Sequence, residues 1–338
     1  MKTLKPEQIL PLVHNVLKTE VDEEGRLHFC RFTPEQIADY ALDRPDYPMR
    51  CHASANVTLD FVTDSDGIEM AFDLQPGSYK KIDYGIDLFV DGTLFDAKYE
   101  EDVTFGEACF ALPAGTHRVT VFLPWSAELI LKRFALSDGA PVAPAPPKSM
   151  RIIALGDSIT QGFKARHPGC SWVGKVTRDL DAEVYNLGVG GYRFLTNSLK
   201  HPTVWQTDLI LLAYGTNDYT KYETVREVQA GAASYVERLT ELYPKTPILL
   251  MLPIYRKSGR SAKKPYVLED VRQLLREIAK RYPQITVMES AYYPHHADFF
   301  APDLLHPNDL GFLIQGEKIV QAIRELGWPK RKQKEEAI

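Results

Sequence analysis

The hydrophobic period of this chain changes once, and the change falls on a proline- and alanine-rich stretch at 137–149 (SDGAPVAPAPPKS). Pro141, Pro144, Pro146 and Pro147 fix φ and remove backbone donors, so the stretch favours an extended, semi-rigid spacer. Before it, β-branched and aromatic runs recur at 57–62, 67–74, 82–90, 108–112, 117–122 and 129–136. Turn signals such as Gln75-Pro76-Gly77 and Asp91-Gly92 separate them. Short strands at that spacing predict an antiparallel sandwich, with 129–136 as its last strand. Asp60, Phe61 and residues 87–90 follow the alternation of strands with one wet face.

After the spacer, apolar runs of strand length at 151–155, 183–187, 208–214, 247–252 and 285–288 alternate with amphipathic stretches at 172–180, 224–243, 267–282 and 310–326. Five strands joined by helices predict a parallel sheet covered on both faces, a flavodoxin-like three-layer α/β/α fold. The expected organisation is an all-β, jelly-roll-like sandwich at 1–138, a linker at 139–149, an α/β domain at 150–329 and a charged tail at 330–338.

Composition narrows the function classes. With 338 residues, 44% hydrophobic and 25% charged, the chain can bury two cores and is not a disordered polymer. A net charge of −5 argues against nucleic-acid or polybasic membrane binding. No run reaches the ~18 apolar residues of a membrane span. Pro6, Glu7, Gln8, Pro11, His14 and Asn15 interrupt every candidate secretory segment, so a cytoplasmic location is expected. Cys30, Cys51, Cys109 and Cys170 form no CxxC pair and read as ordinary thiols. His295, His296 and Asp298 suggest a metal cluster, but adjacent histidines on one loop usually point apart. No metal or cofactor is expected.

In an open α/β sheet the ligand site lies beyond the carboxyl ends of the strands. The first strand runs into Gly156-Asp157-Ser158-Ile159-Thr160, where Ser158 is either a helix cap or a presented nucleophile. The second ends in Asn186-Leu187-Gly188-Val189-Gly190-Gly191-Tyr192, which lacks the GxGxxG spacing of a dinucleotide loop. The third ends in Tyr214-Gly215-Thr216-Asn217-Asp218. Here Asn217 is a turn residue or an oxyanion donor, and Asp218 a loop-fixing carboxylate. Beyond the last strand, Asp303-Leu304-Leu305-His306 sets a carboxylate beside an imidazole.

Together, Gly156-Asp157-Ser158, the glycine loop, Gly215-Thr216-Asn217-Asp218 and Asp303-Leu304-Leu305-His306 resemble the four blocks of the SGNH (GDSL) hydrolase superfamily over roughly half the chain, 151–328. The resemblance implies a serine esterase with the catalytic set Ser158, His306 and Asp303. It implies an oxyanion hole of Ser158, Gly191 and Asn217, with Gly191 preferred over Gly188 or Gly190. Residues 84–89 resemble the GxDLY signature of sandwich domains ahead of some such esterases, with Phe89 in place of the tyrosine. Asp87 has a second reading as a solvated strand residue. Related two-domain enzymes are carbohydrate acetyl esterases. That implies removal of short acyl groups, chiefly acetyl, from a small-molecule or oligosaccharide ester, with no nucleic-acid or membrane partner and room for a homo-oligomer. A lipase- or thioesterase-type acylhydrolase and an inactive carbohydrate-binding protein are the alternatives. Tyr192, Trp205, Tyr219, Tyr255, Tyr292 and Tyr293 are aromatic candidates for stacking on a sugar.

Overall fold

The structure is a computed structural model that describes residues 1–80, 82–203, 206–257, 264–289 and 296–327. The expected tail at 330–338 and the aromatics Trp205, Tyr292 and Tyr293 lie outside the described residues, as does His295.

The front half folds into two antiparallel sheets. One runs in the order Lys18–Val21, Leu27–Cys30, Ala127–Leu136, Gly67–Pro76, Phe105–Ala111, and the other Val142–Pro144, Thr58–Thr63, His117–Phe122, Asp83–Val90, Thr93–Glu101. Phe105–Ala111 alternates exposed and buried along its length, as a strand covered on one face must. Phe29, Met70 and Phe72 of the first sheet share one core with Phe61, Ile86 and Val121 of the second. Burying each such side chain contributes about 1.5–3 kcal/mol.

Three expectations change here. Ala127–Leu136 is not the last strand, because Val142–Pro144 pairs antiparallel with Thr58–Thr63. An extended, proline-containing segment can still line a sheet edge, where missing donors cost nothing. The second sheet has no wet face at Asp60 and Asp87: both carboxylates are buried, Asp87 against His167 of the back half and Asp60 under Arg118 and Lys148, which also reach Asp181. The front half also contains helices at Pro34–Asp43 and Tyr47–Cys51. The first carries a Thr33–Gln36 capping box with Pro34 at its first turn, which is a legible helix start.

The back half is a five-stranded parallel sheet in the order Glu183–Gly188, Arg151–Gly156, Leu209–Ala213, Ile248–Met251, Ile285–Met288. Successive residues of a strand point to opposite faces, so each strand feeds two cores. Ile153, Leu155, Ile210 and Leu212 pack with Val228, Leu239, Val271 and Leu275 of the helices Val225–Leu242 and Leu268–Ala279. Ile152, Ala154, Leu209 and Leu211 pack with Trp172, Val176, Phe312 and Ile319 of Trp172–Asp179 and Asp309–Glu325. Tyr40 and Tyr47, from the front half, complete the first of these cores. Among the described residues no helix is long and apolar enough to cross a membrane.

Candidate active site

Four loops at the carboxyl edge of the parallel sheet converge on Ser158. The first strand ends at Gly156, where an added Cβ would lie 2.0 Å from Thr160 Oγ1, so only glycine allows this turn. Asp157 caps the short helix Ser158–Gln161, its Oδ1 accepting from Ile159 N–H at 2.9 Å. The cap is therefore Asp157, which leaves the Ser158 hydroxyl for other partners. Ser158 N–H stands in the first turn, where it has no intrahelical acceptor.

Ser158 Oγ lies 2.8 Å from His306 Nε2, and His306 Nδ1 lies 2.7 Å from Asp303 Oδ2. Asp303 Oδ1 accepts from the backbone N–H groups of Leu305 and His306, each at 3.0 Å. Burial would raise the Asp303 carboxyl, but these N–H groups and the His306 ring hold it below its ordinary value. Burial lowers His306, and the Asp303 carboxylate opposes that shift without overcoming it. With Nδ1–H donated to Asp303, the neutral ring presents a lone pair at Nε2 to the serine hydroxyl. Phe163 covers the imidazole at 4.9 Å between ring centroids. From the front half, Tyr79 and Trp125 stack on Phe163 at 4.7 and 4.9 Å.

The glycine loop discriminates among its own amides. Gly188 N–H donates to Asn186 Oδ1, Val189 N–H to Gly156 O, Gly190 N–H to Gln161 Oε1, and Tyr192 N–H to Val189 O. Gly191 N–H alone in this run donates to none of the described residues. Gly191 has φ +82°, a conformation that favours glycine. The Asn217 amide donates to Asp157 Oδ2 and to Tyr192 O, both at 3.2 Å, the long end of the hydrogen-bond range. Asp218 fixes the loops as expected, accepting from Phe194 N–H and Gly215 N–H at 3.1 Å. Burial pushes Asp157 up to about 7, with the Asp218 charge adding to it, and burial pushes Asp218 up to about 6.

The remaining candidates separate. Tyr192 and Tyr219 are core residues. His296 pairs with Asp298 at 3.0 Å, and no metal-holding cluster occurs among the described residues. Asp87 is not solvated. It accepts from His167 Nδ1 and from Gly169 N–H, both at 2.8 Å, and so docks the sandwich on the loop before Trp172–Asp179. Sequence reasoning did not find Gln161, which is buried. Its amide donates to Gly77 O and Trp125 O of the front half while its oxygen holds the glycine loop. A lone glutamine inside a helix carries no signal of that kind.

Residues 154–313 match the model of the GDSL-like Lipase/Acylhydrolase family. The matched segment, on a sheet of this topology, is similar to ester hydrolases of the SGNH type, and a sandwich-like domain precedes it. The whole chain also aligns with solved structures. It is similar to the salicylyl-acyltransferase SsfX3 from a tetracycline biosynthetic pathway, at 20% identity and TM-score 0.81, covering 97% of this chain and 98% of that one. It is similar to a family two carbohydrate esterase from Cellvibrio japonicus, at 17% identity and TM-score 0.66, covering 96% and 97%. A family two carbohydrate esterase from Clostridium thermocellum, in complex with cellohexaose, aligns at 14% identity and TM-score 0.63, covering 82% and 94%. No curated protein matches the sequence.

Proposed function

We propose that the protein hydrolyses short-chain acyl esters, chiefly acetyl esters of carbohydrates, through an acyl-serine on Ser158. The observation that carries the reading is the continuous contact from Ser158 Oγ through His306 to Asp303. His306 Nε2 takes the hydroxyl proton as Oγ attacks the ester carbonyl carbon. The carbonyl oxygen becomes an oxyanion, received by Ser158 N–H, Gly191 N–H and the Asn217 amide, which gives up one of its two 3.2 Å contacts, to Asp157 or to Tyr192 O, in order to donate there. His306 then gives its proton to the departing alcohol. Water attacks the acyl-serine, losing its proton to His306, and the carboxylic acid leaves as Ser158 regains its hydrogen. Asp303 holds the ring and stabilises the imidazolium.

The carbohydrate assignment is supported by the exposed Tyr79 ring, which lies 4.7 Å from Phe163 beside His306, and by the likeness to carbohydrate esterases. An oligosaccharide ester is the substrate this suggests. A second reading, transfer of the acyl group to an alcohol other than water, is favoured by the alignment with an acyltransferase over both domains. The two share every step up to the acyl-serine.

Acetate release from a panel of acetylated sugars, compared with p-nitrophenyl esters of increasing chain length, tests the proposal. Acetylated sugars and the acetyl ester should be preferred, and Ser158→Ala should abolish both activities while remaining folded. Preference for long chains overturns the substrate assignment. Appearance of an acylated acceptor when a second alcohol is supplied selects the transferase reading.

A further inference from the structure

Side chains of the front half hold four carbonyls of the glycine loop, those of Asn186, Gly188, Gly190 and Gly191. The buried Arg31 guanidinium donates to Asn186 O and, at 3.3 Å, to Gly188 O. Arg50 Nη1 donates to Gly190 O, and the Tyr47 hydroxyl donates to Gly191 O at 2.9 Å. Arg31 also donates to Arg50 O at 2.8 Å, so the three residues form one connected clamp. Asp46 Oδ2 lies 3.0 Å from Arg50 Nη2, and only 18% of the Arg50 side chain is exposed.

One of these contacts bears directly on the reaction. Gly190 C=O and Gly191 N–H belong to the same planar peptide unit and point in opposite directions. Whatever holds the Gly190 oxygen on one side aims the Gly191 hydrogen on the other. The unit lies between two glycines, where the backbone visits positive and negative φ with similar ease. A flip of this peptide would reverse the N–H with little steric cost, so the loop's own sequence does not select the orientation. A cation on the oxygen does select it, and it also polarises the amide toward stronger donation.

We propose that Arg50, assisted by Tyr47, is a positioning residue that locks the Gly190–Gly191 peptide with its N–H toward the oxyanion. This rests on the acyl-serine reading given above. The sandwich half then supplies part of the catalytic geometry although none of its side chains touches the reacting atoms. The clamp acts on the transition state more than on the bound ester, so it is expressed in kcat.

Removal of a single oxyanion donor costs about 10²–10³ in kcat, and misaiming one should cost less, about 10–10². Steady-state kinetics of p-nitrophenyl acetate hydrolysis by Arg50→Met, Arg50→Lys and Tyr47→Phe, beside Ser158→Ala, provide the test. Arg50→Met should lose kcat by about 10–10² with KM changed less than about twofold, and Arg50→Lys should recover part of the loss. Tyr47→Phe keeps the packed ring and releases Gly191 O, the carbonyl of the next peptide, so it tests whether holding the far side of Gly191 helps to aim its N–H even if Arg50→Met folds poorly. It should lower kcat a few-fold at constant KM. Wild-type kcat in Arg50→Met and Tyr47→Phe overturns the inference. So does a rise in KM at constant kcat, which would make Arg50 a substrate contact. So does a loss that follows the unfolded fraction and is not relieved by lysine. Activity surviving in Ser158→Ala would instead overturn the acyl-serine reading itself.

Discussion

His306 stands between two opposed influences. Burial lowers its affinity for a proton, and the Asp303 carboxylate at 2.7 Å raises it. Burial is the larger, so the ring is neutral at neutral pH and available as a base. An NMR titration of the His306 ring should therefore give a midpoint below the ordinary histidine value of 6.5. A midpoint above 6.5 would mean that the carboxylate dominates and that the resting ring is a poorer base. At this scale the sequence was most informative for residues that occupy strand ends. Ser158, Asn217 and His306 stand where an open α/β sheet presents its ligand site, and the structure brings them to one place. Family likeness points to Gly191, and in the structure its N–H is the one amide of 188–192 that donates to no described residue. Arg50 left no trace in the sequence, because its partner is a backbone carbonyl 140 positions away.

Among the elements, the strands Thr58–Thr63 and Asp83–Val90 show why alternation misled. Period-two patterning separates one face from the other, but a polar face can meet another domain as readily as water. Asp60 accepts from Arg118 Nε at 2.9 Å and Nη2 at 2.7 Å and pairs with Lys148, all at the seam with Asp181 of the back half. Its side chain is 2% exposed, against 43% for Asp181. Burial would raise the Asp60 carboxyl, but Arg118 and Lys148 keep it below its ordinary value. Removing it leaves Arg118 and the buried Lys148 with the half-exposed Asp181 in place of a buried carboxylate, so Asp60→Ala should destabilise the protein by about 1–3 kcal/mol in urea titration. Asp181→Ala should cost only about 0–1 kcal/mol, because water screens an exposed pair. Equal small losses for the two would show that Asp60 does not anchor the seam. The helices Pro34–Asp43 and Tyr47–Cys51 were legible in part, through the Thr33–Gln36 capping box, yet strand-rich surroundings hid them.

For the molecule as a whole, we propose that the joint between the domains runs through 139–149, with Lys148 near its end fastening both halves through Asp60 and Asp181. The front half meets the back half at several points that sequence could not foresee, since each joins residues far apart in the chain. Asp87 docks on His167 and Gly169, Asn56 donates to Thr177 and Val184 O, and Gln161 reaches Gly77 and Trp125. The hydrolase half was readable because its motifs are short and sit at strand ends. The hold of the sandwich on the glycine loop was not, because it consists of side-chain contacts to backbone carbonyls. Both halves serve one claim, that Ser158 is an activated nucleophile. Intact-mass measurement after exposure to a fluorophosphonate tests it most directly. One adduct should form on the folded wild-type protein, map to Ser158 and vanish in Ser158→Ala. A folded protein that takes up no adduct, or labelling that persists in Ser158→Ala, would contradict the account.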